Sequence, residues 1–180
     1  MRRYPEGVKA LPFCLFVSLA LAGQSDMELG VKALDAGKTS EAEMHFAKAA
    51  LADTKDYAAV FHLALAQSLQ NKNGDAEANF RKTLALKPEL YEAHLNLGIL
   101  LLKKQAPKEA VPHFETALAA KPNEYRPRYY LGESLLEANR GAEAEVAYRR
   151  ALELSPKSAE AAHGLGQSQL AFARTWHCRG

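Results

Sequence analysis

The sequence predicts an all-α solenoid in which antiparallel helix pairs stack one on the next. The main observation is a stretch that occurs three times, at 84–98, 118–132 and 152–166. Each copy begins with Leu, has Pro at its fifth position and ends in Leu-Gly, and consecutive copies start 34 residues apart. A second observation is the composition, because Ala, Leu, Glu and Lys dominate while the β-formers Val, Ile and Thr are sparse. Hydrophobic residues make up 48% and charged residues 24%, which suits a folded core with a polar surface.

The first 22 residues have the layout of a secretory signal peptide. A basic start with Arg2, Arg3 and Lys9 precedes an apolar run over 10–22. The run ends in Ala-Leu-Ala, the small-x-small pattern of a cleavage site, and it is shorter than the ~20 residues of a transmembrane helix. We therefore expect a signal peptide at 1–22 and export, so that the mature protein is periplasmic or secreted. The alternative is an uncleaved segment that tethers the protein to a membrane.

The charge of the mature chain argues against two classes of partner. Cleavage after residue 22 removes three basic residues and one acidic residue, which leaves 20 of each. A neutral chain lacks the positive surface that binds nucleic acid or an anionic membrane. Cys178 would be the one remaining cysteine, so no intramolecular disulfide is expected.

Extending the 34-residue frame over the whole chain aligns columns of matching residues. In chain order they are Gly30, Gly98, Gly132 and Gly166, with Ala64 in the missing place; Ala42, Ala76, Ala110 and Ala144; Phe46, Phe80, Phe114 and Tyr148; and Pro88, Pro122 and Pro156, with Thr54 in place of the first. Small residues allow two antiparallel helices to approach closely, and the aromatic ring fills the gap between one pair and the next. Proline ends the second helix of each pair because it cannot continue a helix.

This period, with small residues, aromatics and a closing Pro at these offsets, resembles the tetratricopeptide repeat. The resemblance covers 23–172 and implies a right-handed α-solenoid. The implied units are 23–56, 57–90, 91–124 and 125–158, followed by a helix at 159–173 that is either a cap or a partial fifth repeat, and by a tail at 174–180. The chain departs from the family in lacking the aromatic early in each first helix. That column contains Asp26, Val60, His94, Arg128 and Ala162.

No catalytic, metal or cofactor site is predicted. The six histidines are scattered, and none belongs to an HExxH pattern. A phosphate-binding GxxxxGK[ST] loop and a GxSxG nucleophile elbow are also absent from the sequence. We therefore predict that the protein is not an enzyme and needs neither metal nor cofactor.

The sequence also contains more apolar residues than the stacking of helices requires. In 95–102, Leu97, Gly98 and Leu101 would pack on the partner helix, which leaves a second apolar stripe on the same helix. In the tetratricopeptide family this second stripe lines a concave groove that binds peptides and partner helices. The resemblance thus implies a groove formed by Met27, Val31, Phe61, Leu65, Glu92, Leu95, Ile99, Arg126, Tyr129 and Glu133. The alternative is that these residues only pack the inner helices together.

One family function is disfavoured by the residues at matching positions. Members that grip a C-terminal carboxylate use Lys, Asn and Arg side chains along successive first helices. Here Asn96 and Arg126 match, but Phe61, Leu65 and Tyr130 occupy the other positions. We therefore expect an exported scaffold that binds a peptide or an amphipathic helix. The alternatives are a self-associating subunit, joined through its C-terminal helix, and an accessory factor of an envelope, secretion or pilus assembly.

Overall fold

The computed structural model describes the backbone of residues 25–177 and the side chains of residues 25–171. The predicted signal peptide at 1–22 and Cys178 lie outside the described residues. Within them the chain forms nine α-helices and no strands. The helices are α1 (Asp26–Asp35), α2 (Thr39–Ala52), α3 (Tyr57–Leu69), α4 (Asn73–Leu86), α5 (Tyr91–Lys103), α6 (Pro107–Ala120), α7 (Tyr125–Glu137), α8 (Gly141–Leu154) and α9 (Ala159–His177). Each helix packs on the next, which confirms the predicted all-α solenoid of helix pairs.

Side chains cap the start of α1, α3 and α9. At α9 the Ser158 hydroxyl accepts a hydrogen bond from the backbone N–H of Ala161 at 3.1 Å. The Ser25 hydroxyl accepts a hydrogen bond from the backbone N–H of Glu28, and the Glu28 carboxylate accepts one from the backbone N–H of Ser25. At α3 the Asp56 carboxylate accepts from the N–H groups of Ala58 and Ala59. These bonds satisfy donors that have no partner within the helix.

The turn inside each helix pair has one residue with a positive φ angle. These residues recur every 34 positions: Gly37 (φ 71°), Asn71 (58°), Gln105 (58°) and Asn139 (61°). In the third pair the Gln105 N–H donates to the Leu102 carbonyl and the Ala106 N–H donates to the Leu101 carbonyl. This is the Schellman pattern, which pairs the free carbonyls at a helix end. Only the first pair uses glycine, the residue that adopts this backbone conformation at least cost.

The second helices end at equivalent positions whether or not proline follows. Helices α4, α6 and α8 end two residues before Pro88, Pro122 and Pro156. Helix α2 ends at Ala52 in the same register, although Thr54 stands where the proline would be. Proline is therefore not required to end this helix.

Inside a pair, a glycine of the first helix lies against the aromatic ring of the second. A Cβ atom added to Gly30 would lie 2.5 Å from Cε1 of Phe46, and one added to Gly132 would lie 2.9 Å from Cδ1 of Tyr148. The rings of Phe46, Phe80 and Phe114 are fully buried. Gly166 differs, since no atom lies within 4 Å of a Cβ added there. The expectation that Gly166 serves the same packing role was wrong, because no aromatic ring of the described residues covers it.

Between pairs, the same rings meet the first helix of the next pair. Phe46 stacks on His62 with ring centroids 5.1 Å apart, and Phe114 stacks on Tyr130 at 5.7 Å. Tyr148 lies against Gly164 of α9 in the equivalent place. Each ring therefore joins a pair to its successor, which makes the core continuous along the stack. The fully buried alanines Ala42, Ala76, Ala110 and Ala144 allow this close approach.

The last helix is longer than expected. It continues to His177, whereas the sequence interpretation ended it near residue 173. The reason is that no proline or glycine lies between 167 and 179 to stop it. None of the helices in the described part of the chain combines the length and the hydropathy needed to cross a membrane.

Candidate protein-binding face

The first helices of successive pairs lie side by side. Helix α3 contacts α5, α5 contacts α7, and α7 contacts α9, while the second helices pack between them in chain order. Positions 34 residues apart therefore form rows across these helices. We use the name first-helix face for the two rows that begin at Met27 and at Val31. The face contains Met27, Phe61, Leu95 and Tyr129 in the first row and Val31, Leu65, Ile99 and Glu133 in the second.

The apolar residues of this face differ in how far they are exposed to solvent. Val31 is 40% exposed. Phe61 and Ile99 are partly buried and pack against the central core cluster while leaving part of their surface free, and Leu65 is likewise only partly buried. Leu95 is only 5% exposed and belongs to that core, so its assignment to the groove was wrong. The side chain is buried because it packs in the core cluster that also contains Ala64 and Phe80 of the preceding pair.

The two charged residues placed one turn earlier behave differently from each other. Glu92 accepts a hydrogen bond from Lys121 at 3.0 Å, and the Lys121 ammonium also lies 4.1 Å from the centroid of the Tyr91 ring. Burial opposes ionisation of Glu92, but the Lys121 contact outweighs it and lowers the pKa of the carboxyl. Glu92 is therefore already paired within the protein, whereas Arg126 is exposed.

Aromatic side chains gather at the α7 end of the face. The Tyr129 ring stacks on Tyr125 with centroids 6.0 Å apart, and it meets Tyr130 at 5.2 Å and Tyr148 at 6.0 Å. Tyr125 is held by its hydroxyl, which lies 2.5 Å from the Ser158 hydroxyl at the start of α9. Such a cluster provides a rigid aromatic surface with polar hydroxyl groups.

Glu133 lies one helical turn after Tyr129, next to these rings. It is partly buried, and burial raises the pKa of its carboxyl, with a further contribution from the negative charge of Glu137. Glu133 in turn raises the pKa of Tyr129, after the larger effect of burial. Among the side chains described at 25–171, none forms a salt bridge or hydrogen bond with Glu133.

Two residues at the α7 end of the face were not predicted as site residues from the sequence. Tyr125 lies four residues before Tyr129, and Glu137 lies four residues after Glu133. The signal that could have found them is this i, i+4 spacing, which places side chains on one helix face.

The side chains at the carboxylate-binding positions are used for other contacts. The Asn96 amide donates to the Glu92 backbone carbonyl at 2.7 Å. The Tyr130 ring stacks on Phe114 and so belongs to the joint between two pairs. These two side chains therefore already have partners within the protein.

Two histidines form the most unusual polar contact outside the face. His94 Nε2 lies 2.8 Å from the Pro88 carbonyl, and the Nδ1 atoms of His94 and His113 are 2.9 Å apart. A carbonyl only accepts, so neutral His94 carries its proton on Nε2 and accepts at Nδ1 from the Nδ1–H of His113. Among the described residues no group of three or more His, Cys, Asp or Glu is placed to bind a metal ion.

Comparison with solved structures supports the architecture. MamA 41-end from Desulfovibrio magneticus RS-1 is 21% identical, with a TM-score of 0.73 and coverage of 84% of this chain and 92% of that chain. A crystal structure of MamA protein is 20% identical, with a TM-score of 0.78 and coverage of 82% and 81%. YrrB, a TPR protein with an unusual peptide-binding site, is 19% identical, with a TM-score of 0.77 and coverage of 91% and 84%. These likenesses concern the fold. No curated protein matches the chain.

The family is established by two matches to tetratricopeptide repeat models. One covers residues 68–125 and the other 101–167. Together they span 68–167, which is more than half of the chain, and the structures above have the same stacked helix pairs. The chain therefore belongs to the tetratricopeptide repeat family, whose members are scaffolds for protein–protein interaction.

Proposed function

We propose that the protein is an exported scaffold that binds a peptide or an amphipathic helix of another protein on its first-helix face. The observation that carries this proposal is the row of partly exposed apolar and aromatic side chains on α1, α3, α5 and α7. Val31, Leu65 and Ile99 follow one another in the second row, and Tyr129 closes the first. A row of this kind offers successive contacts to the apolar side of a helix or to alternate side chains of an extended peptide.

A selection experiment tests the binding face. A library of random linear peptides is displayed on phage and selected for binding to the intact chain. The binding of the enriched peptides is then measured on the Val31→Glu variant and on the Phe61→Ala, Tyr129→Ala double variant. We expect enriched peptides whose binding both variants weaken by at least about tenfold, because buried aromatic anchors and apolar contacts dominate such interfaces. Val31 is exposed, so its variant should fold normally even if Phe61→Ala loosens the core.

The matched control removes apolar surface elsewhere. Met44 and Leu51 of α2 are 49% and 78% exposed and lie outside the first-helix face. The Met44→Ala, Leu51→Ala double variant should bind the enriched peptides as well as the parent chain. Equal losses in all variants, or selected peptides that bind the control more weakly than the face variants, would contradict the proposal.

Export is a separate part of the proposal, and its support is the basic and apolar pattern of residues 1–22. Expression of the full chain with a C-terminal tag, followed by fractionation and mass measurement, tests it. We expect an exported product that starts at Gly23. A product that retains Met1 and stays with the membrane would indicate the tethered alternative.

Self-association through α9 is the second candidate, and one surface favours it. Leu170 is 63% exposed. It lines an open pocket of about 590 Å³ together with Ala162, His163, Gly166 and Gln167. Measurement of the solution mass of the full chain and of the Leu170→Glu variant tests this candidate. A mass of one chain in both cases would exclude self-association.

A further inference from the structure

The first-helix face changes character along its length. In the second row, Val31, Leu65 and Ile99 are apolar, and the next position in the same register is Glu133. In the first row the final residue is Tyr129, whose ring belongs to the tyrosine cluster. The face therefore runs from an apolar part on α1, α3 and α5 to an aromatic and acidic end on α7.

Glu133 is exceptional among the partly buried carboxylates of residues 25–171. Glu43 lies 2.6 Å from the Lys72 ammonium, Glu77 contacts Lys104, and Glu92 contacts Lys121 at 3.0 Å. Glu145 pairs with Arg149 at 2.6 Å. Each of these pairs compensates for the loss of hydration that burial imposes on a charge.

Among the described side chains, no Lys or Arg forms a salt bridge with Glu133. The charged group that acts on it is another carboxylate, Glu137, so the local field is negative. The neighbouring Tyr129 ring presents a surface that attracts cations through its π electrons. A partly dehydrated carboxylate beside an aromatic face is well suited to bind an ammonium or guanidinium group from outside the chain.

We propose that the first-helix face recognises a polypeptide segment in which a Lys or Arg side chain binds at Tyr129 and Glu133. Apolar residues of the same segment contact Val31, Leu65 and Ile99 of the second row. This rests on the proposed function and specifies the chemistry of the partner. Charge complementarity selects this occupant, because a wholly apolar segment would cover Glu133 without providing a counter-charge.

The geometry also defines the spacing within the segment. Packed helices lie about 8–10 Å apart, so Ile99 on α5 and Glu133 on α7 contact ligand positions separated by about that distance. In a ligand helix this corresponds to an apolar residue at i and a basic residue at about i+7, and in an extended ligand to about three residues.

The phage selection described above tests the partner chemistry when it is repeated with the Glu133→Gln variant. We expect Lys or Arg to be enriched at that spacing from the apolar residues in peptides selected by the parent chain. Peptides selected by Glu133→Gln should lack this enrichment. The Glu115→Gln variant, which changes an exposed carboxylate on α6, should select the same basic peptides as the parent.

A double-substitution cycle with one synthetic selected peptide then measures the coupling. Replacement of its basic residue by norleucine should weaken binding to the parent by about tenfold or more, and should have little effect on binding to Glu133→Gln. Circular dichroism checks that the variants keep their helicity.

The possible failures are distinguishable. Apolar peptides that bind the face without any preference for Lys or Arg would overturn this inference and leave the proposed function standing. A norleucine peptide that binds the parent as well as the basic peptide does would also overturn it. If no peptide binds the face, both this inference and the proposed function are wrong.

Discussion

Gly98 of α5 lies directly against the ring of Phe114 of α6. A Cβ atom on Gly98 would be 2.7 Å from both Cε1 and Cζ of that ring, closer than carbon atoms approach in a packed core. Phe114 is fully buried, and Tyr130 stacks on it from the next pair. The contact therefore determines how closely the two helices of this pair approach. A shift of the Phe114 ring would also change its stacking on Tyr130 of the following pair.

Gly98→Ala should destabilise the protein by about 1–3 kcal/mol, although alanine is the better helix former by about 1 kcal/mol. The added methyl group must displace a ring that is enclosed on both sides. Urea unfolding monitored by circular dichroism measures the change. Gly166→Ala is the matched control, because its Cβ would meet nothing within 4 Å, and it should be neutral or stabilising. Equal effects at both positions would contradict the packing argument.

Gln105→Gly should stabilise the protein by about 0.5–1 kcal/mol. Gln105 has a φ angle of 58°, a left-handed conformation that costs a non-glycine residue about 1–2 kcal/mol and glycine much less. The greater flexibility of glycine in the unfolded chain offsets part of the gain. The reverse change, Gly37→Ala at the equivalent turn, should destabilise by a similar amount. A thermal melting series checks both, and a lower melting temperature for Gln105→Gly would refute the explanation.

Acidification should destabilise the protein through His113 before the carboxylates respond. Burial lowers the pKa of His113 to about 4, and His94 and Arg81 act in the same direction. Between pH ~6.5 and ~4 the unfolded chain therefore binds a proton that the folded chain does not, so stability falls as the pH drops through this window. We expect a loss of about 1–2 kcal/mol between about pH 7 and about pH 5, with allowance for partial solvent exposure. Urea titrations at both pH values should show a smaller loss for His113→Gln, and an unchanged loss would exclude His113 as the cause.

Glu43→Ala should destabilise the protein by about 1–3 kcal/mol because it removes an acceptor that two amides and one ammonium of the next pair share, and it leaves the Gln67 amide nitrogen without an acceptor among the described residues. The Glu43 carboxylate accepts hydrogen bonds from Gln70 at 2.8 Å, Lys72 at 2.6 Å and Gln67 at 3.4 Å, which ties α2 to the next pair. Glu153→Ala is the control, since its ion pair with Arg150 is exposed and should contribute less than about 1 kcal/mol. Urea unfolding measures the loss in free energy of unfolding for both variants. Equal losses would refute the prediction.

Much of the fold follows from the sequence because each repeat places the same residue types at the same contacts. The glycine and aromatic columns identify the helix pairs, but the contact of Gly30, Gly98 and Gly132 with the aromatic ring of their own pair was not predicted. The extension of α9 and the open surface at Gly166 were not predicted. Both depend on what packs around the last helix, and a column alignment contains no information about the neighbours of an end unit.

The candidate site was less accessible to sequence reasoning. Register alone assigned Leu95 to the binding face, whereas packing in the core cluster with Ala64 and Phe80 buries it. Glu92 and Glu133 look alike in the sequence, but only the structure shows that Lys121 pairs with the first and that no described side chain pairs with the second. Burial and ion pairing arise from tertiary contacts between repeats, which a single repeat does not encode.

The central claim is that partners bind on the first-helix face, and solution NMR of the isotope-labelled chain with a selected peptide tests it most directly. We expect the largest chemical-shift changes at Phe61, Leu65, Ile99, Tyr129 and Glu133 on α3, α5 and α7. Changes confined to the second helices α2, α4, α6 and α8, or to α9 alone, would contradict the claim.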